Sequence, residues 1–262
     1  MKRKLLAIIA FVYSGFAFNA SAQTVALDYY FNHETRKDKN GQPERFHYLW
    51  EDTGNTGFSV WGGIFKAQGA TLTSIDAAPT AENLKGVSAY IIVDPDSRKE
   101  NPQPNYVTQA DVANISKWVK QGGVLVLMAN DSANVELPHF NLLADAFGLH
   151  FNNDIQNHVV DDAHFEDGGI STGNSPIFKT AKKPFMKDVC SIAISGKAQP
   201  MLKAANGTVI AACTKYGQGT VIAIGDPWLY NEYVNGRLPA QFDNDKAAAD
   251  ITAYILSLAR KK

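Results

Sequence analysis

The sequence predicts a doubly wound α/β fold, built on a mostly parallel sheet that carries a β-rich insertion. Short apolar runs alternate with helical patterns from residue 23 to about residue 148, and this alternation is typical of parallel strands joined by crossover helices. The runs Val87 to Val93 and Val124 to Met128 are almost entirely apolar. Such runs are expected of central strands that helices cover on both faces.

The elements of this first part follow from local patterns. We expect strands at 25–27, 70–75, 87–93 and 124–128, and helices at 56–69, at 77–84, from 108 to about 121 and at 138–147. Thr108 and Asp111 have the spacing of a capping box at the start of the third helix. Gly122 and Gly123 should end that helix, since glycine is favoured just past a helix.

The second half of the chain has a different pattern. Between residues 149 and 207 the apolar runs shorten and Gly, Asn and Pro interrupt them, which predicts a β-rich insertion or edge with strands near 157–160, 189–194 and 200–202. A hairpin of 208–213 and 220–224 should return to the main sheet. A last helix at 244–259 presents an apolar stripe. We expect residues 23–262 to form a single domain.

The N-terminus is typical of a secretory signal peptide. Three basic residues precede an apolar run of 14 residues, Leu5 to Phe18, and Ala20-Ser21-Ala22 then forms a small-residue cleavage site. The run is shorter than the roughly 20 residues that span a bilayer, so no membrane insertion is expected. Residues 1–22 are therefore predicted to direct the protein to the periplasm or to secretion. The formal net charge of −1 gives no reason to expect binding to nucleic acid.

Two cysteines follow the signal peptide, Cys190 and Cys213, both in predicted strands. An oxidising compartment permits a disulfide between neighbouring strands. Buried thiols that act as small apolar side chains are the alternative, and spacing along the chain does not decide between them.

Polar and aromatic side chains follow the predicted strands at their carboxyl ends. In an open parallel sheet these ends meet at one edge, where ligands bind, and the long first loop adds further polar residues. The candidate acid or base groups are Asp94, Asp96, Asp226 and Glu232. The candidate ligand-binding residues are Asp28, Tyr30, Asn32, His47, Trp50, Asp52, Asn105, Tyr106, Asn130, Asp131, Trp228, Tyr230 and Asn231.

Carboxylates beside aromatic rings suit a sugar-binding site. Rings stack on the apolar faces of sugars, while carboxylates accept hydrogen bonds from hydroxyl groups or transfer protons. Two such carboxylates can also act as the acid and base of a glycosidase. The alternative for each acid taken alone is structural, since Asp and Asn commonly cap helices and begin turns.

Other kinds of site find less support. No glycine-rich phosphate loop opens a helix, and the six histidines lack the spacing of metalloproteases. We expect no cofactor, although Asp94, Asp96 and Asp226 have the hard oxygen atoms that calcium prefers.

The strand 124–128 after Lys-Gln-Gly-Gly resembles the central strand of the class I glutamine amidotransferase-like fold, a flavodoxin-like arrangement. Catalytic members of that fold carry a cysteine nucleophile in the next turn, and this chain has Ala129-Asn130-Asp131-Ser132 there. The resemblance therefore implies the fold without amidotransferase activity.

Five motifs extend the resemblance: residues 27–32, 47–53, 93–96, 101–106 and 225–233. Together they are similar to the amidotransferase-like domain that accompanies unsaturated rhamnogalacturonyl hydrolases in secreted pectin-degrading proteins of Bacteroidota. The resemblance implies a ligand from pectin, such as a rhamnogalacturonan oligosaccharide. The α/α-barrel catalytic domain of those hydrolases is missing from this sequence, so their activity does not carry over.

Three functional hypotheses remain open at this point. The first hypothesis is an enzyme of the glycoside hydrolase type that acts on a pectic oligosaccharide. The second is a non-catalytic sugar-binding or scaffold partner of a separate glycoside hydrolase. The third hypothesis is a structural relic of the fold whose polar residues only cap helices.

Overall fold

A mostly parallel seven-stranded sheet forms the centre of the computed structural model, which describes residues 22–130 and 133–259. The strands are β1 (Thr24–Asp28), β2 (Thr35–Lys37), β3 (Pro43–Arg45), β4 (Thr71–Ile75), β5 (Val87–Val93), β6 (Val124–Met128), β7 (Leu149–Phe151), β8 (Ile192–Ile194), β9 (Gln199–Lys203), β10 (Val209–Tyr216) and β11 (Gly219–Ile224). The helices are α1 (Ser59–Ala67), α2 (Gln109–Lys120), α3 (Leu137–Asp145), α4 (Asn231–Val234) and α5 (Asn244–Leu258), with a 3-10 helix at Asp162–Gly168.

The order of strands across the sheet is β4-β1-β5-β6-β11-β10-β9. The first five strands of this order are mutually parallel, whereas β10 runs antiparallel to both of its neighbours. The predicted central strands β5 and β6 are confirmed, since each has a partner on both sides. Every residue of both strands is buried, because helices cover the two faces of the sheet.

Each face of the sheet has its own hydrophobic cluster. On one face, Trp61 and Phe65 of α1 and Ile251 of α5 pack against inward side chains of the strands. On the other face, α2 and α3 supply the packing residues, Trp118 and Phe140 among them. Alternate residues of a strand point to opposite faces, so β5 and β6 contribute to both clusters.

Helix α2 begins and ends at the predicted signals. The hydroxyl of Thr108 accepts a hydrogen bond from the backbone N–H of Asp111, and the Asp111 carboxylate accepts one from the backbone N–H of Thr108. This reciprocal pair is the capping box. Gly122, with φ of +109°, then turns the chain away from the helix.

Two predicted elements are absent. The segment 77–84 forms turns instead of a helix, because Asn83 bonds back to the hydroxyl of Thr80 and the carbonyl of Ala78. The segment 157–160 is not a strand, since Asn157 has a left-handed φ of +53° that an extended strand does not allow.

The insertion contains less strand structure than the sequence predicted. The strand expected at 189–194 is reduced to β8, which pairs with β7 outside the main sheet. The strand expected at 200–202 is present as β9, which forms an edge of the main sheet. The hairpin is confirmed, since β10 and β11 pair antiparallel.

Cys190 and Cys213 are not joined in a disulfide. Cys190 lies in the cluster beside α2 and α3, and Cys213 packs against the cluster on the opposite face. The sheet separates the two thiols. The predicted signal peptide, apart from Ala22, lies outside the described residues. Within the described part of the chain, no helix combines the length and apolar character needed to cross a bilayer.

Candidate functional site

A cleft of about 380 Å³ opens at the carboxyl ends of the parallel strands. Asp94 directly follows β5, Asn130 lies two residues beyond β6, and Asp226 lies two residues beyond β11. These three strands are neighbours in the sheet, so their ends bring together residues that are far apart in the sequence. The cleft is lined by Glu34, His47, Tyr48, Thr56, Asp94, Glu100, Asn130, Asn134, Lys187, Asp188, Asp226, Tyr230 and Glu232.

Asp94 is buried and held from three sides. One carboxyl oxygen accepts a hydrogen bond from the Tyr48 hydroxyl at 2.7 Å, and the other accepts one from the backbone N–H of Asn130 at 3.2 Å. The Asp94 carbonyl accepts a hydrogen bond from Asn32 Nδ2 at 3.0 Å. Burial raises the pKa of Asp94 to about 7, even though the hydrogen bond from Tyr48 lowers it. Asp94 therefore titrates near neutral pH.

Asp226 is also buried, but it has fewer partners than Asp94. Within the described residues, its Oδ2 atom has no hydrogen-bond partner. Burial raises the pKa of Asp226 well above its ordinary value, and the negative charges of Asp94 and Asp188 raise it further. Lys187 opposes this rise through its ammonium group and its backbone N–H. Burial and the two negative charges thus favour the protonated form of the Asp226 carboxyl group.

Four residues of the cleft wall have left-handed backbone conformations. They are His47 (φ +72°), Tyr48 (φ +54°), Asp94 (φ +35°) and Asp188 (φ +52°). Non-glycine residues seldom adopt this conformation, and where they do so they cluster at functional sites. Asn157 is the only other such residue in the described part of the chain, so backbone strain is concentrated at the cleft.

The first loop and helix α4 are tied together on one side of the cleft. The Asn231 side chain accepts a hydrogen bond from the backbone N–H of Val60 at 2.9 Å and donates one to the carbonyl of Gly54 at 2.7 Å. It thereby caps α1 from a distant part of the sequence. On this side of the cleft the Tyr230 ring lies 6.1 Å from the Tyr48 ring, centroid to centroid, and Glu232 forms an ion pair with Arg237 at 2.8 Å.

Two further contacts hold the charged groups of the cleft. His47 Nδ1 lies 2.7 Å from Glu34 Oε1, and the His47 ring stacks on Tyr48 with 3.9 Å between ring centroids. The segment with Lys187 and Asp188 is held near Asp226 because the backbone N–H of Cys190 donates to the Gly225 carbonyl at 2.8 Å.

The structure brings six of the sequence-predicted site residues into this cleft: His47, Asp94, Asn130, Asp226, Tyr230 and Glu232. Ten others do not line it: Asp28, Tyr30, Asn32, Trp50, Asp52, Asp96, Asn105, Tyr106, Trp228 and Asn231. The remaining predicted residue, Asp131, lies outside the described residues. Among the described residues, no cluster of histidine, cysteine and acidic side chains is arranged to hold a metal ion.

Asp28 and Asp96 stabilise turns next to the cleft. Asp28 accepts hydrogen bonds from the backbone N–H groups of residues 30–32 and from the Tyr90 hydroxyl, and burial raises its pKa to about 7. Asp96 accepts hydrogen bonds from the backbone N–H of His33 and from Asn101, and burial raises its pKa to about 6. Both side chains thus support the loop after β1.

Three aromatic residues expected to stack on a ligand pack against the protein instead. Trp228 is 1% exposed and contacts Phe178 edge to face, so it presents no ring face to a sugar. Trp50 packs on the aromatic residues of α1, and Tyr106 stacks on His139 with 4.5 Å between centroids.

Four polar residues, Asp52, Asn105, Tyr30 and Asn32, hold loops. Asp52 accepts a hydrogen bond from the backbone N–H of Gly54, and Asn105 donates to the Tyr30 carbonyl. Asn32 donates to the Asp94 carbonyl, so it positions a cleft residue without lining the cleft.

Seven lining residues were not predicted as site residues: Glu34, Tyr48, Thr56, Glu100, Asn134, Lys187 and Asp188. Glu34 and Tyr48 are close in sequence to predicted site residues of the first loop, so this proximity could have identified them as candidates. Lys187 and Asp188 come from the irregular insertion, where no strand or motif marks them. They reach the cleft through the pairing of Cys190 with Gly225.

Comparison with known proteins identifies similar folds only. No protein-family model and no curated protein matches this sequence. The N-terminal domain of mmIFT52 is similar, with a TM-score of 0.65 and 17% identity over 90% of this chain and 98% of that domain. A cytoplasmic protein from Salmonella typhimurium LT2 has a TM-score of 0.57 and 12% identity, covering 91% of this chain and 100% of its own.

An exo-β-1,4-mannosidase from Opitutaceae bacterium strain TAV5 is also similar, with a TM-score of 0.51 and 15% identity over 93% of this chain. The chain spans only 37% of that mannosidase. At these identities the similarity extends to the fold and not to the chemistry.

Proposed function

We propose that this protein binds an oligosaccharide in the cleft and cleaves a glycosidic bond with Asp226 as the acid and Asp94 as the base. One observation carries the proposal: two buried carboxyl groups, from the ends of the strands on either side of β6, line one cleft in different surroundings. Tyr48 and a backbone N–H stabilise the charge of Asp94. Asp226 Oδ2 has no such partner among the described residues.

Glycoside hydrolysis needs one carboxyl group that is protonated and a second that is ionised. Burial and the nearby charges of Asp94 and Asp188 favour the protonated form of Asp226, whereas about half of Asp94 is ionised when the pH equals its pKa of about 7. Asp226 donates its proton to the glycosidic oxygen as the bond to the anomeric carbon breaks. Asp94 takes a proton from the water that attacks this carbon, and proton exchange with solvent restores both groups.

We further propose that the fold is of the doubly wound, amidotransferase-like type and that the ligand is pectic. When the five parallel strands are numbered along the chain, their order across the sheet is 2-1-3-4-5, which is the flavodoxin-like order. The pectic ligand, a rhamnogalacturonan-type oligosaccharide, rests on the motif resemblance. Export to the periplasm or beyond rests on the N-terminal sequence.

The test is hydrolysis of a panel of pectic oligosaccharides, followed by product chromatography. Asp226→Asn should reduce turnover by at least about a hundredfold while it preserves the shape of the cleft. Asp28→Asn is the matched control, because Asp28 is a buried carboxyl at the same edge of the sheet that does not line the cleft. Equal turnover by wild type and Asp226→Asn would contradict the assignment of the acid.

A second candidate function is sugar binding without catalysis, as the partner of a separate glycoside hydrolase. The similarity to the mannosidase favours it, since the chain corresponds to only about a third of that enzyme. Calorimetric titration distinguishes the two functions. Binding of an oligosaccharide that the wild type never cleaves would support this candidate and contradict the proposed hydrolysis.

A further inference from the structure

The cleft already contains more negative charge than its own cations balance. Among the described residues, four carboxylates besides Asp94 and Asp226 line it: Glu34, Glu100, Asp188 and Glu232. The basic side chains that the structure describes in the lining are His47 and Lys187, and Arg237 outside the lining pairs with Glu232 at 2.8 Å. A ligand that enters the cleft therefore meets mostly carboxyl groups.

Both basic side chains of the lining have partners within the protein. His47 contacts Glu34 at 2.7 Å. The Lys187 ammonium lies over the Tyr233 ring, 6.0 Å from its centroid, and interacts with the charges of Asp188 and Glu232. The positive charges of the lining therefore already face carboxyl groups of the protein, and an incoming carboxylate adds a like charge to these surroundings.

The buried atoms of the cleft that lack a partner are oxygens. Asp226 Oδ2 and Asn130 Oδ1 have no hydrogen-bond partner in the described part of the chain. An amide oxygen only accepts hydrogen bonds, and a protonated carboxyl group both donates and accepts. A sugar hydroxyl satisfies both atoms, because it also donates and accepts. A carboxylate cannot donate to Asn130.

Resting on the proposed sugar-binding function, we infer that the cleft accepts neutral glycosyl residues and excludes uronates. In a pectic oligosaccharide, the neutral sugars enter the cleft and the galacturonate residues remain outside. The selecting groups are the acidic residues of the wall, foremost Asp188.

The test compares trisaccharide ligands of different charge. Trigalacturonate, its fully methyl-esterified form and a neutral galactan trisaccharide are titrated into the full chain by calorimetry at pH 7. The ester should bind at least about tenfold more tightly than the free acid, which corresponds to about 1.4 kcal/mol. This ratio should shrink at high salt, because salt screens the repulsion.

Asp188→Asn then tests the wall itself. Asparagine tolerates the left-handed backbone of this position, and the change removes one negative charge. The preference for the ester should fall by a factor of about three or more, since part of the repulsion is gone. Glu82→Gln is the matched control: it removes one charge from an exposed side chain before β5, away from the cleft, and should leave the ratio unchanged.

The outcomes separate the two claims. Equal or tighter binding of trigalacturonate overturns the inference and leaves the proposed sugar-binding function intact. The inference is also overturned if neither salt nor Asp188→Asn changes the ratio of affinities for the ester and the free acid, because selection would then not arise from charge. Binding of none of the three ligands overturns the proposed function and the inference together.

Discussion

Tyr48 donates a hydrogen bond to Asp94 over 2.7 Å, and both residues have left-handed backbone conformations. The pair joins the first loop to the end of β5 at the bottom of the cleft. Tyr90 and Asp28 form a second buried tyrosine–aspartate pair, which does not line the cleft. The two pairs allow a controlled comparison.

Tyr48→Phe should shift the pH dependence of hydrolysis. Since the hydrogen bond from Tyr48 lowers the pKa of Asp94, its loss should raise that pKa. The rise in rate that accompanies ionisation of Asp94 should then occur at higher pH, as measured by pH–rate profiles. Tyr90→Phe should cost a similar free energy of unfolding, about 1–3 kcal/mol, and leave the profile unchanged. A shift of the pH–rate profile in both Tyr48→Phe and Tyr90→Phe would contradict a specific role for the Tyr48 contact.

The free energy of unfolding should decrease from about pH 4 to about pH 7. The pKa values of Asp28 and Asp94 are raised from 3.8 to about 7 in the folded protein, so the folded state keeps protons that the unfolded chain releases. This stability is present at low pH and is lost as the pH rises through the folded pKa, by up to about 1.4 kcal/mol per group and pH unit.

Urea unfolding at several pH values measures this dependence. Asp28→Asn should make the slope shallower, because asparagine does not titrate. A slope that is identical in the variant, or stability that rises with pH over this interval, would show that burial does not govern these carboxyl groups.

Gly225→Ala should destabilise the protein through a direct clash. A Cβ atom at Gly225 would lie 1.9 Å from the Cys190 carbonyl oxygen, so the segment with Lys187 would have to move away from Asp226. We expect a loss of about 3 kcal/mol, measured by thermal unfolding. Gly63→Ala is the control, since a Cβ atom there has nothing within 4 Å. Because Gly63 lies within α1, Gly63→Ala should increase the free energy of unfolding by about 0.5–1 kcal/mol.

Trp228→Phe should reduce stability less than Trp61→Phe does. Both rings are fully buried, but Trp61 donates to Thr252 at 3.0 Å, whereas Trp228 Nε1 has no partner among the described residues. In Trp228→Phe, removal of the unsatisfied N–H group offsets part of the stability lost with the packing of the larger ring. The free energies of unfolding of the two variants should therefore differ by about 1 kcal/mol. Oligosaccharide affinity should be retained in both variants. A selective loss of affinity in Trp228→Phe would restore a stacking role for this ring.

The central strands were predictable because burial on both faces requires nearly continuous apolar sequence, as in β5 and β6. The capping box of α2 was equally visible, since its two hydrogen bonds depend on residues three positions apart. The turns at 77–84 were not, because Asn83 and Thr80 replace helical hydrogen bonds with side-chain contacts. Local composition does not distinguish these two outcomes.

The candidate site was predictable where a residue closely follows one of three adjacent central strands. Asp94, Asn130 and Asp226 meet because β5, β6 and β11 are neighbours. The same rule did not extend to Asp28, whose carboxylate turns back to its own loop, or to Trp228, which packs into the core. Lys187 and Asp188 depend on a tertiary contact between the insertion and Gly225, which no short pattern in the sequence encodes.

The position of the two cysteines on opposite faces of the sheet gives the protein one covered and one accessible thiol. Cys190 is fully buried, so a thiol-modifying reagent reaches it only when the face beneath α2 and α3 separates. Cys213 is partly exposed on the other face. Cys213 therefore gives a labelling rate for the folded protein, and the slower labelling of Cys190 measures how often the face beneath α2 and α3 opens.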